Sequence, residues 1–203
     1  MIVKREDFKG LLYIPNANDV APNSNLLGNV VMLDSFIEKY EPESLILVLG
    51  YDLYKKLEAE LENDGTISDP NSAYYKLLNG EGRYRGLKTL IASYIYYKFI
   101  EGDDSHYSGV GNIKEKAKGA KDVGFRDKAV MAWNLFYEHT IGGFMTNHTK
   151  PHLIYKRNAI GLVWDGDTNN GYQSLYSYLT DNRDEFPEAT LNLNLRKLNY
   201  YGI

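Results

Sequence analysis

From Tyr74 to Gly102 the chain reads YYKLLNGEGRYRGLKTLIASYIYYKFIEG, with apolar residues at helical spacing on both sides of a glycine-rich turn. In its second half Leu87, Leu90, Ile91, Tyr94 and Lys98 share one side, and Ala92, Ile95, Tyr96 and Phe99 cover much of the other. Apolar positions around most of the circumference predict a helix enclosed by protein. Upstream, Leu45, Val48, Leu49, Leu53, Leu57 and Leu61 recur at three- and four-residue steps, interrupted by Gly50. Val30, Leu33, Ile37 and Tyr40 predict an earlier helix that Asn25 or Asn29 would cap, running through roughly Lys39. Pro42 suits the first turn of the next helix. Asp64 to Pro70 reads as a loop, and Asp69 as the cap of a short helix containing Tyr74, Tyr75, Leu77 and Leu78.

The flanking segments have different patterns. A short apolar run, Leu11 to Ile14, precedes PNANDVAPNSN, whose Pro, Asn and Asp favour extended or turn structure; residues 1–25 therefore read as an extended N-terminal arm. After the buried helix, Gly109, Gly111, Gly119 and Gly124 break up an exposed excursion. Arg126 to about Ile141 reads as a further helix, with Val130, Trp133, Tyr137, Ile141 and Phe144 on one face, packing against the Leu87 helix. Gly142 and Gly143 weaken or end it. Beyond Pro151, the runs Leu153 to Tyr155 and Ile160 to Trp164 suggest a hairpin. Gln173 to Asn182 reads as a short helix, stopped before Pro187. Leu191, Leu193 and Leu195 alternate with Asn192, Asn194 and Arg196, a strand pattern that would pair with the hairpin or add to a neighbour's sheet. The expected fold is mainly α, a helical core over 26–150 followed by a small α+β extension over 151–203 with a few short β-strands near the C-terminus.

Composition narrows the chemistry. At 203 residues the chain can build its own core, and without cysteine it has neither a disulfide framework nor thiolate chemistry. A net charge of −4 argues against a general nucleic-acid coat. No signal peptide and no apolar run of membrane-spanning length is visible, so no membrane partner is expected. The 18 tyrosines supply amphipathic area suited to surfaces buried against partners, although base composition alone can raise their number.

Motifs for catalysis or ligand binding are incomplete. His148 and His152 have the spacing of a helical zinc pair, but Pro151 opposes a continuous helix and no Glu follows His148. Asp165, Asp167 and Asn169 match the first ligand positions of a calcium loop; Asn170 then replaces its glycine and Tyr176 its bidentate glutamate. The glycines of GEGRYRG lack a preceding strand and the dinucleotide-binding spacing. No cofactor, metal or catalytic set is expected, and the chain reads as a non-enzyme. The remaining candidates are contacts: Arg83, Arg85 and Lys88 at the glycine turn; Lys114, Lys116, Lys118, Lys121, Arg126 and Lys128 in a basic stretch; and the edge formed by Leu191, Leu193 and Leu195.

The order over Pro42 to Thr146 is apolar helix, Leu-Gly-Tyr-Asp-Leu-Tyr, amphipathic helix, acidic loop, Tyr-Tyr-Lys-Leu-Leu-Asn-Gly, then Gly-Leu-Lys and the buried helix. This order resembles the small helical connector proteins of tailed bacteriophages, also called adaptor, head-completion or ring proteins. It looks closest to the versions in phages of Bacteroidota, crAss-like phages among them. The resemblance implies a structural virion protein, made in the host cytoplasm and placed in the neck between capsid and tail. It further implies a homo-oligomeric, dodecameric ring that binds the portal protein and the next neck or tail protein, with genomic DNA passing through the channel. It transfers no catalytic residue, and the region after Pro151 has no counterpart in it. Two other readings stay open: a nucleic-acid-binding protein using the Lys114 to Lys128 patch with Arg83, Arg85 and Lys88, or an enzyme of unrecognised type.

Overall fold

A computed structural model describes residues 1–14, 27–103, 106–108, 111–113, 125–142, 155–158, 161–164, 173–192 and 194–196. Among these the chain is mainly helical, with α1 (Leu27–Leu49), α2 (Tyr51–Glu60), α3 (Ala73–Asn79), α4 (Lys88–Asp103), α5 (Phe125–Thr140) and α6 (Leu175–Asp181). Two short antiparallel pairs accompany them: β1 (His106–Ser108) with β2 (Gly111–Ile113), and β3 (Tyr155–Asn158) with β4 (Gly161–Trp164).

The fold is organised around α4, which packs against α1 and α5. Leu90, Ile91, Tyr94, Ile95, Tyr96, Phe99 and Ile100 are all buried and cover most of the circumference, while Thr89, Tyr97, Lys98 and Glu101 keep contact with solvent. Trp133 of α5 lies against Tyr94 and Tyr97, and Phe136 lies against Tyr94. The buried face of α5 is Ala132, Phe136, His139 and Thr140, whereas Val130, Trp133, Tyr137 and Ile141 are half-buried at its rim. The face read from apolar spacing is therefore rotated, because two of the residues pointing inward are polar.

The two helices expected on either side of Pro42 are one helix of 23 residues with Pro42 inside it. Proline removes one helical hydrogen bond. The continuous buried stripe explains why the helix persists, since Leu33, Ile37, Glu41, Ser44 and Val48 follow each other at three- and four-residue steps. Glu41 and Ser44 interrupt the apolar pattern in the sequence while continuing the buried one in space.

The first fourteen residues are core rather than arm. Ile2, Val3, Phe8, Leu12 and Ile14 are buried, with two 3-10 turns at Arg5–Asp7 and Gly10–Leu12. The Glu41 carboxylate accepts hydrogen bonds from the backbone N–H of Ile2 (3.0 and 2.9 Å) and of Val3 (2.8 Å). Arg5 forms a two-pronged ion pair with Asp34, which holds the Asp34 carboxyl below its ordinary pKa. Pairing of residues 2 and 3 with Glu41, and of residue 5 with Asp34, makes this segment run antiparallel to α1. The rest of the expected arm lies outside the described residues.

The C-terminal region closes over the same core. Leu175, Tyr176, Leu179 and Phe186 join the same apolar cluster, and the N–H of Thr190 donates to the Leu49 carbonyl at the end of α1. The expected leucine strand is not formed by the described residues 191–192 and 194–196. Side chains hold the backbone groups that a strand would pair. The Tyr176 hydroxyl lies within hydrogen-bond distance of both the N–H (2.7 Å) and the carbonyl (3.2 Å) of Asn192. Asn194 N–H donates to the Asn192 side chain, and the Trp133 indole donates to the Arg196 carbonyl at 2.7 Å. Leu191 and Leu195 pack half-buried against the core, and Leu193 lies outside the described residues.

Candidate interaction surfaces

The glycine turn between α3 and α4 is a closed loop built on backbone contact. Ser72, rather than the expected Asp69, caps α3 by accepting from the Tyr74 N–H; Asp69 instead accepts from the Asn71 N–H in the preceding turn. At the other end of α3, Gly80 and Gly86 face each other with φ of 94° and 80°. A Cβ on Gly86 would lie 2.5 Å from the Leu78 carbonyl oxygen and 2.8 Å from the Gly80 nitrogen. This contact allows the Leu87 N–H to donate to the Leu78 carbonyl at 3.0 Å, closing the neck. Inside the loop, Glu81 and Tyr84 exchange both backbone hydrogen bonds, and the Arg83 carbonyl accepts from the Gln173 N–H just before α6.

Tyr84 anchors the loop. It is buried, its hydroxyl donates to the Leu77 carbonyl, and its ring stacks on Tyr178 at a centroid distance of 4.2 Å. Burial pushes its phenol well above the usual range. With Tyr84 turned inward, Arg83 and Arg85 on either side of it are exposed, and Lys88 is half-exposed at the first position of α4. Acidic groups share this surface: Lys76 pairs with Glu81 at 3.0 Å, and Glu81 and Glu185 both act on the Tyr178 phenol.

Arg85 also reaches the end of α5. His139 is 8% exposed there, and desolvation with the nearby Arg85 charge lowers its pKa to about 4, against a small opposing effect of Glu138. Its folded pKa lies below the unfolded value, so the fold favours neutral imidazole, and the associated stability is complete above about pH 6.5. It is lost as pH falls toward 4, by about 2 kcal/mol at pH 5. Replacing His139 with Gln should flatten this part of the stability profile, as read from urea unfolding at pH 7 and pH 5. An unchanged difference between the two pH values would refute the assignment.

The fold separates the candidate cations. Arg85 approaches His139 near the end of α5, while Lys128 stands exposed eleven residues earlier, about 16 Å along the helix. Arg126 belongs to the first turn of α5, and its side chain lies outside the described residues, as do Lys114, Lys116, Lys118 and Lys121. Of the basic stretch, only Lys128 can be placed against the turn, and it stands apart from Arg85. His148, His152 and the Asp165 to Gly171 loop also lie outside the described residues. Among the described residues no group of three metal-ligating side chains is assembled, and no helix is long and apolar enough to cross a membrane.

Two features were missed by sequence reasoning. Lys98 holds its ammonium 5.5 to 5.8 Å from the ring centres of Tyr40, Tyr94 and Tyr97, with Glu43 3.8 Å away. The tyrosine hydroxyls of Tyr94 and Tyr97 donate to Glu43 and Glu101, and burial together with these carboxylates raises both phenols. The second feature is a set of exposed apolar side chains: Leu11 and Tyr13 on the N-terminal segment, and Ile46 and Tyr51 on either side of Gly50. Their signal was available. The runs Leu11 to Ile14 and Leu45 to Leu49 both hold more apolar residues than one buried face needs. Comparison of the chain with models of known families, with curated proteins and with solved structures returns no match.

Proposed function

We propose that this protein is a structural subunit of the neck of a tailed bacteriophage, a head-to-tail connector whose copies form a ring on the portal and extend the DNA channel toward the tail. The observation that carries the reading is the arrangement of the segments on which the resemblance rests. The apolar helix, the Gly50 knee, the amphipathic helix, the short helix and the glycine turn are α1, the α1–α2 joint, α2, α3 and the Gly80–Gly86 loop, whose buried side chains share one apolar cluster with those of α4. Such a scaffold positions surfaces rather than a reaction centre. The mixed charge around Arg83, Arg85 and Lys88 suits a protein partner, since a phosphate track needs a continuous excess of cations. The β3–β4 pair belongs to the part after Pro151 that the resemblance does not cover.

Solution mass measurement, followed by electron microscopy of the protein mixed with its cognate portal, tests the proposal. The expected result is a closed ring seated on the portal with an open axial channel. A protein that stays monomeric and leaves the portal bare would overturn it.

A further inference from the structure

Residues 1–14 are attached differently from the C-terminal part of the chain. The C-terminal part meets the rest through paired backbone groups: the Gln173 N–H donates to the Arg83 carbonyl, and the Thr190 N–H to that of Leu49. Among the described residues, the backbone of 1–14 forms hydrogen bonds to the remainder of the chain only at the Glu41 carboxylate, through the N–H groups of Ile2 and Val3. Its other backbone hydrogen bonds stay within the segment, from the Lys4 N–H to the Asp7 side chain and through the two 3-10 turns. Side chains supply most of the remaining attachment: the Arg5–Asp34 pair, and the buried Ile2, Val3, Phe8, Leu12 and Ile14. The Met1 carbonyl also packs closely on Gly65.

Water has access to this seam. An open cleft of about 620 Å³ runs beside it, walled by Val3, Lys4, Arg5 and Glu6 of the segment and by Asp34 and Ile37 of α1. At the cleft the Arg5 and Asp34 side chains are 35% and 44% exposed. Both 3-10 turns lie against α4, so the segment covers part of that helix as well as part of α1. Lifting the segment away breaks one carboxylate latch and one solvated ion pair but no backbone ladder. The apolar burial lost is offset by the conformational freedom that the whole segment regains. Unfolding of α4 would, in contrast, undo its packing on both α1 and α5.

We propose that residues 1–14 form a strap that opens as one piece while α4 stays packed against α1 and α5, with Glu41 as its latch. Opening uncovers Ile37 and the side of α4 beneath the turns, which gives the protein a second state with newly exposed apolar surface and an intact core. The strap does not rest on the connector reading.

Native-state hydrogen exchange of the full chain in low urea tests this, with the Val3, Phe8 and Leu12 amides reporting on the strap and the Ile95 amide on α4. The three strap amides should share one opening, at least about tenfold more populated than the one that exposes Ile95 and with a smaller urea dependence. Glu41→Gln should speed exchange of all three by the same factor, at least about tenfold, although Leu12 lies nine residues from Val3. Gly82→Ala perturbs the glycine loop, which stays folded when the strap opens. It should speed Ile95 exchange about fivefold and leave the strap amides at their wild-type rates. Strap amides that accelerate together with Ile95 in Gly82→Ala would show that the segment leaves only when the whole protein unfolds, and would overturn the strap. So would an effect of Glu41→Gln confined to Val3, or three strap amides with three separate openings.

Discussion

Replacing Glu41 with alanine is expected to destabilise the protein by about 3 to 5 kcal/mol, a large part of a domain's stability. The Glu41 side chain is buried in the middle of α1 and accepts from the N–H groups of Ile2 and Val3, themselves 2% and 0% exposed. Alanine leaves these two donors in the interior without their acceptor, and each such loss costs on the order of 1 to 3 kcal/mol. It also releases the segment that carries Phe8, Leu12 and Ile14 into the core. Glutamine keeps one acceptor oxygen but points an amide donor at two donors, so Glu41→Gln should fall between wild type and alanine. Urea unfolding reads the loss, and hydrogen exchange of the Ile2 and Val3 amides locates it. An alanine variant within about 1 kcal/mol of wild type would show that water replaces the carboxylate at no cost, contrary to the burial observed.

The glycine loop should respond just as sharply, and it contains its own control. Gly86→Ala is expected to cost about 3 kcal/mol or more, because its Cβ would sit 2.5 Å from the Leu78 oxygen at a φ of +80°. The backbone must move, and the Leu87 to Leu78 hydrogen bond at the neck moves with it. Gly82 also has positive φ, +58°, but an added Cβ there meets nothing within 4 Å. Gly82→Ala should therefore cost only the left-handed penalty, about 1 kcal/mol. Equal losses at the two positions would mean that backbone conformation alone, and not the Gly80–Gly86 contact, sets the sensitivity. Thermal and urea unfolding of the two variants side by side decide the point.

Both sites show where pattern reading stopped. In the loop, three glycines and two arginines were visible, but Tyr84 looked like one more tyrosine in a tyrosine-rich chain. Its burial depends on Tyr178, more than ninety residues away in sequence. Glu41 next to Pro42 looked like a helix boundary, because a carboxylate in a buried stripe is improbable until its backbone partners are known. The leucines from Leu191 to Leu195 followed the strand period, but Tyr176 and Trp133 claim the backbone groups that the ladder would have used.

The buried character of α4 follows from sequence, since apolar residues around a whole helix leave it no stable place except inside. The helical pieces flanking the Gly50 knee and the helix over residues 125–140 were legible for the same reason: their periodicity is local and survives without knowledge of neighbours. Tertiary structure decided the rest: that α1 continues through Pro42, that residues 1–14 are core, that Arg85 and Lys128 stand apart, and which apolar side chains remain in water. Each of these depends on pairs of residues distant in the chain, and no periodicity along one segment encodes the partner that another segment will supply.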